Sequence, residues 1–245
     1  MPNPAAQLAP TGKLRVAIAI APSPSAQFAI KDEAGNYRGV ANILGQALAK
    51  KLGVPVELIA HNGSGEIQNS AADNKWDVAF LPVDEERKKF VDFGNAYHLL
   101  QSTYLVGPSG KIASVAAANT AGVRIGGVAN TATFRAAQRT APKATFVTVP
   151  GVDAAIAGMN AGEIDCIALS RESLSGLALK IPGSRILDGG FLNSSTAVAV
   201  PKGKPEALAY VSQFIEEAKA AGLVRKAFDA MNLKNSQVAP AGMKP

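Results

Sequence analysis

Apolar residues gather along this chain in short blocks whose period switches between that of strands and that of helices. Residues 14–20 (LRVAIAI) form a continuous apolar run of strand length. A stretch rich in Pro, Ser, Asp and Gly follows to Gly39. Val40, Ile43, Leu44, Ala47, Leu48 and Leu52 then recur at helical spacing up to Gly53, a residue suited to end a helix. Residues 54–60 read as a second strand, 67–72 as a short helix, and 78–81 (VAFL) as a third strand closed by Pro82. Asp84 is placed to cap the next helix, which Glu85 and Glu86 open and Arg87 follows one turn in. Further strands are expected at 123–128, 144–149 and 164–169, and helices at 130–139, 152–159 and, capped by Ser170, 171–179. Strands alternating with helices predict an α/β fold with mainly parallel sheets flanked by helices.

The pattern repeats itself. Helix, turn, Asp77, apolar strand and helix start are answered 88 residues later by helix, a turn at Gly162, Asp165, apolar strand and helix start. LRVAIAI at 14 and VRIGGVA at 123 are similar openings. Two lobes of like build follow from this. Residues 101–106 and 195–200 are both extended and apolar, and each lies between one repeat and the rest. As two crossovers they insert the second lobe into the first and return the helices at 205–219 and 223–231 to lobe 1. The expected division is 12–103 with 195–235 for lobe 1, 104–194 for lobe 2, and flexible termini at 1–11 and 236–245. Open α/β sheets bind ligands beyond the C-terminal strand ends. Two such lobes joined by a hinge would offer a cleft where helix N-termini converge on a small anion. Arg87 would stand there with a guanidinium able to clasp a carboxylate through two parallel hydrogen bonds. The competing reading is an arginine paired with Glu85 and Glu86 on a solvated face.

Composition narrows the classes. With 47% hydrophobic and 18% charged residues the chain is an ordinary globular sequence. Its net charge of +6 permits nucleic-acid binding, but the basic residues are scattered and no basic block carries interleaved aromatics, so no nucleic-acid partner is expected. Cys166 stands alone, which rules out a disulfide framework and a cysteine metal site. The two histidines, His61 and His98, have no partner at metal-ligand spacing, so neither a metal nor a cofactor is expected. There is no run of 18 apolar residues to span a membrane and no visible secretory signal. The leader Met1-Pro2-Asn3-Pro4-Ala5-Ala6 is compatible with the start of a mature secreted form preceded by an expression-derived Met.

Several segments together resemble the periplasmic solute-binding proteins of the polar amino-acid-binding class of ABC importers, the bacterial extracellular solute-binding protein family 3. They are GKLRVAIA, GNYRGVANILGQALAKKLGVPVELI, KWDVAFLPVDEERKKFVDFGNAY, VRIGGVANTATF, AGEIDCIALSRESL, and VAVPKG before a helix ending AAGLV. The similarity covers residues 12–232. It implies two α/β lobes with two crossover strands, ligand capture by closure about a hinge, a periplasmic location, and a membrane ABC permease as partner to a monomeric binder. Arg87 matches the arginine that clasps a ligand α-carboxylate in that family. A threonine three positions before it is Asp84 here, and a small polar residue two positions earlier still is Pro82. A Gly-Thr-Thr-like turn offering backbone N–H groups reads Asn130-Thr131-Ala132. The aspartate that binds an α-ammonium is replaced by Ser170, followed by Arg171.

That last departure has a physical consequence. A buried ammonium without a counter-charge costs several kcal/mol, and a serine cannot neutralise it. The ligand is therefore expected to be a small carboxylate without an amine, with Arg171 either adding positive charge or facing solvent. The alternative is an atypical amino acid whose ammonium is held by Asp84 or Glu66. Phe28 is a candidate aromatic wall or a core residue, and Ser64 and Glu66 are rim or solvated loop residues. Trp76 is expected to pack, and Tyr97 to support the approach to the hinge. Two further classes stay open: a cyclohexadienyl-dehydratase-like enzyme on the same scaffold, with Glu66 and Asp84 as the candidate acid and base, and a detached ligand-sensing domain.

Overall fold

The computed structural model describes residues 4–20 and 26–245; the leader residues 1–3 and part of the loop after the first strand, 21–25, lie outside the described residues. The chain divides into unit 1 (Met1–Leu99 and Ser195–Pro245) and unit 2 (Leu100–Ser194).

Unit 1 begins with a short helix α1 (Pro4–Leu8), strand β1 (Leu14–Ala19), a small hairpin of β2 (Ile30–Lys31) and β3 (Tyr37–Arg38), and helix α2 (Val40–Leu52). It continues with β4 (Val56–His61), helix α3 (Ser64–Asn69) and β5 (Val78–Pro82). Strand β6 (Val91–Val106) then carries the chain into unit 2. There follow β7 (Arg124–Val128), α4 (Ala132–Thr140), β8 (Thr145–Val149), α5 (Val152–Asn160), β9 (Cys166–Ser170), α6 (Arg171–Ala178) and β10 (Arg185–Ile186). Strand β11 (Leu192–Pro201) returns to unit 1, which closes with α7 (Pro205–Ala220), α8 (Leu223–Ala230) and β12 (Gln237–Val238).

In unit 1, β1 lies between β4 and β5, parallel to both, and β11 adds antiparallel to β5. In unit 2, β7 lies parallel between β8 and β9, and β6 adds antiparallel to β9. Each unit thus contributes a parallel trio extended by an antiparallel crossover strand. The apolar face of α2 explains its docking: Val40, Leu44 and Leu48 are fully buried in the unit 1 core with Val16 and Ile18 of β1. Each such side chain contributes about 1.5–3 kcal/mol when fully buried. Gly53 ends α2 in the left-handed region (φ 72), where a residue without Cβ carries no steric penalty.

Three expectations need correction. The helix expected around Arg87 is a single 3-10 turn, Arg87–Lys89, because β6 already begins at Val91. The second crossover strand starts at Leu192, and the first starts ten residues before the expected 101. The described parts of the segments expected as flexible termini, residues 4–11 and 236–245, are folded onto unit 1. Leu8 is fully buried in its core, and the Gln7 side chain accepts from the Ala207 N–H, supplying α7 with the cap that Lys204 does not provide. At the other end, β12 pairs with β6 at His98 and Leu99, and Glu216 accepts from the Gly242 N–H.

Candidate functional site

Strand β5 runs through the core of unit 1 with Val78 to Leu81 buried, and ends at Pro82. Beyond it the Val83 N–H donates to Ser195 O at 2.8 Å. Asp84 Oδ1 then accepts from the N–H groups of Glu86 (2.9 Å) and Arg87 (3.3 Å). A short carboxylate bonding its own downstream backbone favours a tight turn over a continuing helix. The turn folds the Arg87 side chain back over the strand end. Nη1 donates to Pro82 O at 2.8 Å and Nη2 to Ser64 Oγ at 2.5 Å. Arg87 is 0% exposed, so the solvated-face reading fails; Glu85 and Glu86 pair with Lys88 and Lys89 instead. Burying a guanidinium is costly. Pro82 O and Ser64 Oγ orient its planar fork.

Ser64 opens α3 just beyond β4, which is how a residue 23 positions away reaches Arg87. Its neighbour Glu66 is exposed and folds back on its own loop, accepting from the Asn62 N–H at 2.6 Å and lying 3.9 Å from His61 Nδ1. Burial pushes the His61 imidazole below its usual value, Lys75 adds to that, and Glu66 opposes it. Phe28 is half-buried. Its carbonyl oxygen lies 2.2 Å from where a Cβ at position 39 would sit, and Gly39 has φ 157, so only glycine lets the start of α2 come this close. Unit 1 therefore gathers Arg87, Pro82, Asp84 and Ser64 into one hydrogen-bonded group; Glu66, in the first turn of α3, and Phe28, on a loop, stand outside it.

In unit 2 the chain leaves β7 through Asn130, in the left-handed region (φ 59), and Thr131 caps α4 by accepting from the Phe134 N–H at 3.2 Å. Ala132 is buried in the first turn. Ser170 ends β9 and caps α6, with its Oγ accepting from the Ser173 N–H and lying 2.9 Å from Ser173 Oγ. Arg171 is committed within unit 2: Nε donates to Gln101 Oε1 at 2.7 Å and Nη2 to the carbonyls of Leu187 (3.0 Å) and Gly189 (2.6 Å).

Residues missed in the sequence join these segments. Ser102 pairs with Ser170 across β6 and β9, and its Oγ lies 3.1 Å from Thr133 Oγ1. The strand end carrying Ser170 and the turn at Asn130-Thr131-Ala132 are thereby linked by buried hydroxyls. The visible signal was a Ser-Thr pair inside an apolar crossover. Cys166 is fully buried, and burial with the neighbouring Asp165 charge pushes its thiol up to about 12, which makes it a packing residue and not a nucleophile. Among the described residues no three or more His, Cys, Asp or Glu gather as a metal site, and no helix is long and apolar enough to cross a membrane.

The profile of the bacterial extracellular solute-binding proteins, family 3, matches residues 16–231. The chain belongs to this family. Solved structures agree with the fold of a two-lobed solute-binding protein. The ancestral amino acid-binding protein AncCDT-1, a precursor of cyclohexadienyl dehydratase, is 27% identical over 90% of this chain and 95% of its own, with a TM-score of 0.78. An ancestral arginine-binding protein bound to glutamine is 26% identical over 90% and 97%, with a TM-score of 0.77. The substrate-binding protein AbpA of Streptococcus pneumoniae, bound to L-arginine, is 24% identical over 93% and 97%, with a TM-score of 0.79, and speaks for the fold alone. No curated protein matches the chain.

Proposed function

We propose that this solute-binding protein captures a small carboxylate-bearing ligand, an organic acid or an atypical amino acid, by closure about its two crossover strands, and delivers it to an ABC permease from outside the cell membrane. One observation carries this reading: a fully buried arginine at the end of β5, oriented by Pro82 O and Ser64 Oγ. A guanidinium fork held in that way matches a carboxylate geometrically and electrostatically. The 27% identity to an ancestral amino acid-binding protein supports a ligand of this class. Ser170 bears on the other half of the ligand. It stands where the family resemblance implies an ammonium-binding acid, and its hydroxyl caps α6. A hydroxyl carries no counter-charge, which favours a ligand without an amine.

A thermal-shift screen of amino acids against keto, hydroxy and aromatic acids identifies the class, because a bound ligand raises apparent stability by mass action. Arg87→Ala should then abolish the shift, since losing one partner of a buried charged pair costs about 2–5 kcal/mol of binding. An unchanged shift would remove Arg87 from the site. Ser170→Asp should weaken a simple carboxylate, whereas tighter binding would show that an amine sits nearby.

A further inference from the structure

Gln27, His98 and Thr196 are each 0% exposed and meet in unit 1. The Gln27 side-chain nitrogen lies 2.7 Å from His98 Nδ1 and donates to Thr196 Oγ1 at 3.0 Å, and those two atoms are 3.4 Å apart. An amide NH2 has two donors, so one group serves both partners and its orientation is fixed. His98 lies on β6 next to Leu99, the last residue of unit 1 on that strand. Thr196 lies on β11 next to Ser195, the first residue of unit 1 on the way back. β6 and β11 are hydrogen-bonded neighbours in the sheet, and a single carboxamide adds a side-chain tie between them where the chain passes between the units. The His98 ring is held by Phe228 of α8, 5.0 Å between centroids.

The same point is wired to the candidate site. Thr196 is the register partner of Pro82, and the Val83 N–H donates to Ser195 O at 2.8 Å. Arg87 Nη1 donates to Pro82 O. Gln27 is also the chain neighbour of Phe28.

We propose that Gln27 is a positioning residue for ligand capture: by clamping β6 to β11 through His98 and Thr196, it sets the pivot about which the two units move. Hinges are a few element-terminal residues that absorb the change in backbone angles. A rigid tie on the unit 1 side forces that change beyond Leu99 and Ser195, next to the peptide bonded to Arg87's carbonyl partner. The link to capture rests on the function proposed above, but the pivot itself is measurable without any ligand.

The test is single-molecule energy transfer in the unliganded protein, with dyes on Lys50→Cys in unit 1 and Lys143→Cys in unit 2, both exposed positions. Cys166 stays unlabelled because it is fully buried and its thiol is pushed up to about 12. Gln27→Met and Thr196→Val should each shift or broaden the distance distribution. Thr103→Val is the control: it removes a buried hydroxyl, bonded to Leu187 O at 3.2 Å, from the same strand inside unit 2, and should leave the distribution at wild type. Gln27→Met and Thr196→Val distributions that coincide with that of Thr103→Val would overturn the proposal. If Gln27→Met fails to fold, the near-isosteric Thr196→Val decides alone. A wild type that answers no carboxylate would defeat the capture reading and leave this comparison intact.

Discussion

Arg15 in unit 1 and Arg124 in unit 2 each stand at the start of a parallel strand trio and make the same set of bonds. Arg15 gives its backbone N–H and Nε to Asp77 Oδ2, both at 2.9 Å, and Nη2 to Oδ1 at 2.7 Å, with Nη1 on Asn74 O. Arg124 gives its N–H (2.8 Å) and Nε (3.1 Å) to Asp165 Oδ2 and Nη2 to Oδ1 (2.6 Å), with Nη1 on Gly162 O. Each aspartate returns its own N–H to the arginine carbonyl at 2.9 Å. The two clamps differ in burial: side-chain exposure is 15% for Arg15 and 0% for Asp77, but 40% for Arg124 and 30% for Asp165. Sequence repetition has preserved the bonding scheme while the surroundings have changed how much it matters.

The opposite ends of the same strands diverge further. β5 ends at Pro82 and passes into a tight turn that buries Arg87, whereas β9 ends at Ser170, which caps a helix of eight residues. Positions 82 and 170 are 88 apart, the same offset as Asp77 and Asp165. The framework end of the repeat is alike in both units, and the end that carries candidate chemistry is charged in one and hydroxylic in the other.

The largest effect is expected where that contrast in burial is cut. Asp77→Ala leaves the Arg15 charge poorly solvated and should cost about 3 kcal/mol. Asp165→Ala leaves Arg124 in contact with water and should cost less than half as much. Denaturant midpoints of the two variants measure the difference. Equal losses would show that burial is not what separates the clamps.

What the sequence revealed follows the same division. Strands at 14–20, 78–81 and 123–128 were legible because a continuous apolar run has few other uses. The turn at Arg87 was not, because Asp84, Glu85, Glu86, Lys88 and Lys89 fit a charged helix equally well. Its contacts with Ser64 and Pro82 O show that the arginine turns inward. Gln27, His98 and Thr196 were illegible for a stronger reason: they lie 71 and 169 positions apart. The tail at Gln237 and Val238 has no apolar run of its own and is ordered by pairing with β6.

Glycine placement gives a second, intermediate test. In unit 2 the sheet carries the glycine: a Cβ on Gly127 of β7 would come within 2.0 Å of the Phe134 ring of α4. In unit 1 the helix carries it: a Cβ on Gly45 of α2 would lie 2.9 Å from Val16 of β1. Gly127→Ala should cost about 1–3 kcal/mol through overpacking. In Gly45→Ala the close approach is milder and is offset further by the roughly 1 kcal/mol gain in helix propensity, so its net loss should be the smaller of the two. Thermal melts of the two variants compare them directly, and a larger loss at position 45 would mean that helix–sheet distance, not propensity, dominates in unit 1.

The smallest expected effect is on the acid side of the stability curve. Hydrogen bonds from the Arg124 guanidinium, joined by its N–H and its charge, hold the Asp165 carboxyl below the usual carboxylate range, against a partial opposing effect of burial. In unit 1, burial pushes the Glu216 carboxyl up, but bonds from Lys219, Asn95 and the Gly242 N–H together outweigh it and leave that group low as well. A carboxylate whose folded value is depressed stabilises the protein fully above its unfolded value, about 3.9 for Asp and 4.3 for Glu, and loses that contribution as pH falls through the folded value. The stability gap between wild type and Asp165→Asn should therefore be constant above about pH 5 and shrink as the pH drops below about 4. Urea midpoints taken across that range read it out. The variant should still lose stability in acid, because Glu216 and the tail it holds are untouched. A gap that stays constant down to about pH 2 would show that the unit 2 clamp acts through geometry alone, with its charge contributing nothing.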